Sequence, residues 1–180
     1  MASLGRRAEA HLTVLDLGVP ERKARAYWPN LRDGEFERTS PSDSYYNCIA
    51  WAMNDRRRWW EPSGNPEHYW PARAPRDYSR DAFMAAFKTR HFVPCDDGRL
   101  EPGWEKIAIY WTEGADPEAG FQHVARQLPD GRWSSKLGRA RDIAHVSIDA
   151  LSGDFYGEVA FYMRRPRSAA RGRPPTPEQH

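Results

Sequence analysis

Two stretches in the second half of the chain alternate apolar side chains with a period of two. In EKIAIYW, Ile107, Ile109 and Trp111 alternate with Ala108 and Tyr110, and in FYGEVAFYMRR, Val159, Phe161 and Met163 do the same. Only an extended backbone sends every second side chain to one face, so these segments are predicted as strands. Between FQHVARQL and WSSKL stands PDGR, whose Asp130-Gly131 pair supplies the tight turn of a hairpin.

The first half has a different period. RDAFMAAFKTR spaces Phe83, Ala86 and Phe87 three and four residues apart, as an amphipathic helix does. LTVLDLGVPERKARAYWPNL predicts a short apolar piece and then a helix opened by Pro20 at its first turn and ended by Pro29. RDGEFERTSPSDSYYN has the composition of a loop, and its last residue, Asn47, is placed to cap a helix through CIAWAMNDRRRWW with Cys48 in the first turn. From Glu61 to Ser79 four prolines and no apolar periodicity predict a long irregular loop. Helices followed by a meander of strands define an α+β fold, an antiparallel sheet covered on one face by the Cys48 helix. No internal repeat is present. Residues 13–166 are expected to form one domain, with disordered segments over 1–12 and 167–180.

Composition narrows the function classes. A chain of 180 residues with 39% hydrophobic residues, 13% aromatics and eight tryptophans can bury a core without disulfides or metals. A mean hydropathy of −0.87 and no apolar run near a bilayer's length argue against a membrane span. MASLGRRAEA offers no apolar core of a signal peptide, so the expected address is the cytoplasm. The net charge of +2 is uneven: Arg164 to His180 holds five arginines against Glu178, which leaves the body at about −2. The tail, proline-rich and solvated, is not read as a nucleic-acid site. Arg56, Arg57 and Arg58 are read as a solvated helix face that would also suit an acidic protein partner. Cys48 and Cys95 have no CxxC spacing and no histidine pair accompanies them, so neither a metal nor another cofactor is expected.

A thiol at the start of a helix is favoured as thiolate, because free backbone N–H groups and the helix dipole stabilise negative charge there. Cys48 is therefore the candidate nucleophile, with a depressed pKa, and Cys95 is read as structural. His11 and His180 fall in the tails, and His68 and His91 in a loop and at a helix end. That leaves His123 and His145. His123, near the start of a strand and sharing a face with Phe121, Ala125 and Gln127, is the candidate general base, on the face turned toward the Cys48 helix. The backbone amide of Cys48, with Asn47 or Tyr46, would hold the oxyanion. Trp51, Trp59, Trp60 and Trp70 are the candidate substrate platform.

The order YNCIAWA, then FQHVARQLPDGRW, resembles the papain-like cysteine hydrolases, in particular the circularly ordered group with bacterial cell-wall endopeptidases and CHAP amidases. In that group a cysteine opens a helix, a histidine begins a later strand, and a polar residue on the next strand orients the imidazole. The resemblance implies a papain-like core and places the orienting residue at Ser135, where the family has His, Asn, Asp or Gln. Asp142 and His145, in the following segment RDIAHVS, are substitutes that would fold back over the site. The fuller pattern YNCIAWA, HVARQLPDGRWSSKLG, DIAH, YG and MRRP, spanning about Trp28 to Pro166, is also similar to a family of small bacterial proteins and brings no activity with it. The expectation is a thiol hydrolase or acyltransferase, peptidase- or amidase-like, acting through Cys48 and His123 on a peptide or small-molecule amide, isopeptide or thioester. An effector or toxin would differ only in target. The alternative is a non-catalytic module that uses its Trp-rich loop to hold a protein or peptide partner.

Overall fold

The protein is described by a computed structural model covering residues 17–114 and 119–167. Of the segments expected to be disordered, 1–12 and 167–180, all but Arg167 lie outside the described residues, His11 and His180 included; Arg167 donates its N–H to the Gly103 carbonyl. Among the described residues three α-helices, α1 (Glu21–Tyr27), α2 (Cys48–Ala52) and α3 (Arg80–Lys88), and a 3-10 turn at Ile148–Leu151 surround a sheet of β1 (Phe36–Arg38), β2 (Val93–Cys95), β3 (Trp104–Thr112), β4 (Gly120–Gln127), β5 (Trp133–Lys136), β6 (Asp142–His145) and β7 (Glu158–Pro166). The sheet runs β1-β6-β5-β4-β3-β7-β2 and every pairing is antiparallel. The class is α+β. No helix among the described residues is long and apolar enough to cross a membrane.

Alternation along the central strands makes two cores. Ile107, Ile109, Val124 and Met163 face α2 and α3, where they meet Ile49, Ala50, Phe83 and Phe87. Ala108, Tyr110, Ala125 and Ile143 face the other way, onto Ala24 and Trp28 of the α1 region and onto Leu151 and Tyr156. The sheet is thus covered on both faces, not one. At its far end Arg165 holds Glu105 through two contacts of 2.6 and 2.7 Å, a pairing that lets both charges stay buried.

Sequence and structure part at short elements. α1, α3 and the hairpin stand where the periodicity places them, but α2 stops at Ala52 instead of running through the three arginines. Its end is a Schellman motif: Asp55 N–H donates to the Ala50 carbonyl, Asn54 N–H to that of Trp51, and Asn54 takes φ +59°. Arg56, Arg57 and Arg58 therefore lie in the loop beyond, where Arg58 is fixed on Asp55 at 2.8 Å. β1 emerges from what reads as loop, and RDIAHVS forms β6 inside the sheet instead of a flap over the site. Three- and four-residue strands hold at most two cycles of a period-two pattern, too few to read against chance.

Candidate active site

Asn47 opens α2 as the sequence predicts. Its Oδ1 accepts from Ala50 N–H at 3.1 Å, and its Nδ2 donates to the Trp60 carbonyl at 2.7 Å, so one side chain caps the helix and ties it to the Trp59–Pro62 loop. The Tyr46 hydroxyl is committed elsewhere, donating to Asp142 Oδ2 at 2.6 Å. Asn47 Nδ2 carries a second N–H and lines the cavity with Cys48, and the backbone amides of Cys48 and Ile49 lie close enough to the thiol to favour its charged form.

His123 does not share the α2 face. A bulge at Gln122 separates the pairs Trp111–Phe121 and Tyr110–His123, so Phe121 stacks on Phe83 of α3 at 4.3 Å while His123 turns to the opposite face. There its ring lies flat on Tyr156, 4.4 Å between centroids and 4° from parallel.

The two sides meet because β4 and β5 part. They pair only at Arg126–Ser134 and Gln127–Trp133; beyond these residues, toward His123 and Ser135, the ladder is open. α2 packs on both strands there. A backbone hydrogen bond from Val124 reaches the Cys48 thiol, and Cys48 and His123 line one cavity of about 380 Å³. Among the described residues no direct Cys48–His123 hydrogen bond is formed.

Side chains bridge the opened ladder instead. His123 Nε2 lies 3.0 Å from Ser135 Oγ, Ser135 Oγ lies 2.9 Å from His145 Nε2, and His145 Nδ1 lies 2.7 Å from the Ser147 carbonyl oxygen. The carbonyl can only accept, so His145 carries its proton on Nδ1, and its Nε2, in the neutral ring, is an acceptor. Ser135 must then donate to His145 and accept from His123 Nε2–H. The remaining nitrogen, His123 Nδ1, is left with a lone pair. All three side chains are buried, at 1%, 0% and 0% exposure.

Burial sets the charge states. It pushes the His123 imidazole down to about 3, aided by His145, and His145 down to about 4 against the pull of the Ser147 carbonyl. Both rings are neutral. Burial also pushes the Cys48 thiol up to about 11, although the Val124, Ile49 and Cys48 backbone groups and Lys136 pull the other way. The thiolate expected from the helix-start position is thus reversed: desolvation outweighs what one short helix supplies. Cys95, half-buried at the end of β2, is also pushed up by burial.

Of the other candidates, Asp142 lies on the α2 face with Tyr46 and does not meet His123. Trp51 packs on Tyr46 and donates to Ser134, and Trp70 packs edge-on against Phe83, so both are core residues. Trp59 and Trp60 do line the cavity. Trp28, Tyr78, Phe155, Tyr156 and Glu61 line it too and are missed from sequence; they come from three separated segments with no shared motif. No three of His, Cys, Asp and Glu among the described residues gather as a metal would require.

A hydrogen-bonded imidazole beside a helix-start thiol, with aromatic walls, defines a candidate cysteine site. The chain belongs to a family described as a domain of unknown function, DUF7689, whose model matches residues 37–164. No curated protein and no solved structure matches the chain.

Proposed function

We propose that the protein is a thiol hydrolase or acyltransferase with a papain-like core, acting on an amide, isopeptide or thioester. The observation that carries this reading is the one-way proton chain from the Ser147 carbonyl, through His145 and Ser135, to His123. It leaves a lone pair on Nδ1 of an imidazole that shares a cavity with a cysteine at a helix start. Because thiol and imidazole are both neutral, His123 acts as a general base during attack. Its Nδ1 takes the Cys48 proton as the sulfur bonds to the carbonyl carbon, and the backbone amides of Cys48 and Ile49 hold the oxyanion. The imidazolium, still anchored at Nε2–H on Ser135, returns that proton to the leaving group, and water or an amine then releases the acyl group. A cytoplasmic setting belongs to the same reading.

The non-catalytic binding module remains the second reading, favoured by the raised thiol pKa and the absence of a formed Cys48–His123 hydrogen bond. The two separate on acylation. With 4-nitrophenyl 3-phenylpropanoate at neutral pH, a Cys48-linked acyl adduct read by intact mass is expected in the parent protein, with steady release of nitrophenol. It should be absent in Cys48→Ala and slowed by at least about 100-fold in His123→Ala. Equal labelling of the parent and His123→Ala would leave the binding module as the account.

A further inference from the structure

The cavity is built to sort ligands by charge. Most of its lining is aromatic or aliphatic, including Trp59, Tyr78, Phe121, Phe155 and Tyr156, and among the described residues no lysine or arginine lines it. Among the described residues its one carboxylate is Glu61. That carboxylate is held in place from three directions: Tyr78 OH donates to Oε1 at 3.0 Å, Trp59 Nε1–H donates to Oε2 at 3.2 Å, and His68 Nδ1 lies 2.9 Å from Oε2. Two of those partners, Trp59 and Tyr78, are themselves walls of the cavity, so the acid and the aromatic surface form one rigid unit. Arg139 sits 5.0 Å over the Trp59 ring and makes no ion pair with Glu61 among the described residues, and His68 is an ion-pair partner of Glu61 only when its ring is protonated. With His123 neutral, and His68 donating its Nδ1–H to Glu61 as a neutral ring, the described lining carries a net negative charge.

We infer that Glu61 is the specificity determinant of this cavity, which takes an aromatic or bulky apolar group bearing a protonated amine and rejects the corresponding carboxylate. An ammonium gains twice here, from the carboxylate and from the faces of the surrounding rings. An anion loses twice: it meets a like charge and gives up its hydration with no cation to replace it. The inference rests on the hydrolase reading only for the ligand's being a substrate. The binding preference itself is independent of chemistry.

The test uses three probes of one frame, 2-phenylethylamine, 2-phenylethanol and phenylacetate, titrated calorimetrically into the full-length Cys48→Ala protein and into Cys48→Ala with Glu61→Gln at pH 7. The expected order is amine, then alcohol, then carboxylate. The amine should bind about tenfold tighter than the alcohol, which corresponds to about 1.4 kcal/mol, and that ratio should collapse toward one in the Glu61→Gln background. Equal binding of the three probes, or an amine preference that survives Glu61→Gln, overturns the inference. Loss of all binding in Glu61→Gln, with a circular dichroism spectrum and melting temperature unlike the parent's, calls for Glu61→Asp instead. A preference retained there upholds the carboxylate, and one lost overturns it. Failure of the hydrolase reading shows separately, as no Cys48-dependent nitrophenol release from any ester in the presence of amine binding.

Discussion

Ser135 has one proton to give and one neighbour on each side that constrains where it goes. Replacing it with alanine removes the acceptor for His123 Nε2–H and the donor to His145 Nε2 together. Nothing then fixes which His123 nitrogen holds the proton. Acylation of Cys48 in Ser135→Ala is expected to fall by about 100-fold or more, measured as nitrophenol burst rate, while the melting temperature moves by a few degrees. A rate within threefold of the parent would mean that the hydroxyl does not set the tautomer. At this scale the sequence was informative and incomplete. Cys48, its Asn47 cap and His123 are readable from local pattern, and the strand-to-strand register reaches Ser135. The second and third links, Ser135 to His145 and His145 to the Ser147 carbonyl, require β6 to be in the sheet beside β5, which four residues of DIAH do not announce. The thiol's raised pKa is likewise a matter of surrounding bulk, which no local motif encodes.

Two irregular elements bring the site together. The Schellman end of α2 turns the chain at Asn54 so that Asp55 receives Arg58 and Trp60, fixing the loop whose next residue is Glu61. Asparagine tolerates φ +59°, glycine more so, and a β-branched residue does not. Asn54→Val should therefore cost about 1–2 kcal/mol more than Asn54→Gly in urea denaturation. Equal stabilities for the two would show that the left-handed turn is not required. The other element is the bulge at Gln122, which turns His123 away from Phe121. Strict alternation put the two side chains on one face, because a period-two pattern has no means of representing one extra residue. The short α2 misleads for a similar reason: the arginines and tryptophans after Met53 are adequate helix formers, and only Asn54 and Asp55 together signal the stop.

The whole molecule accommodates two neutral imidazoles in its interior, and that choice couples folding to pH. In the unfolded chain each histidine binds a proton near its ordinary pKa of 6.5, while the native rings resist protonation until about 3 for His123 and about 4 for His145. Between those limits the unfolded state holds more protons, so this contribution to stability is fully present above about pH 6.5 and is lost as pH falls toward 3. Each ring contributes a slope of up to about 1.4 kcal/mol per pH unit. Melting temperatures should therefore drop steeply from pH 6.5 to 4.5, and less steeply in His123→Phe; parallel curves for the two proteins would refute burial of the neutral ring. The α+β class, the strands β3, β4, β5 and β7 and the β4–β5 hairpin were legible in the second half of the sequence, whereas the return of β7 to pair with β3 was not. The parting of β4 from β5, which makes the cavity, depends on α2 arriving from elsewhere in the chain. The central claim, that His123 presents an unprotonated Nδ1 to Cys48, is most directly tested by long-range nitrogen–proton correlation spectra of uniformly ¹⁵N-labelled protein, with His123 assigned from His123→Phe. The account predicts a neutral His123 with its proton on Nε2 from pH 8 down to about pH 5. A His123 that is protonated on Nδ1, or charged at pH 7, would contradict it.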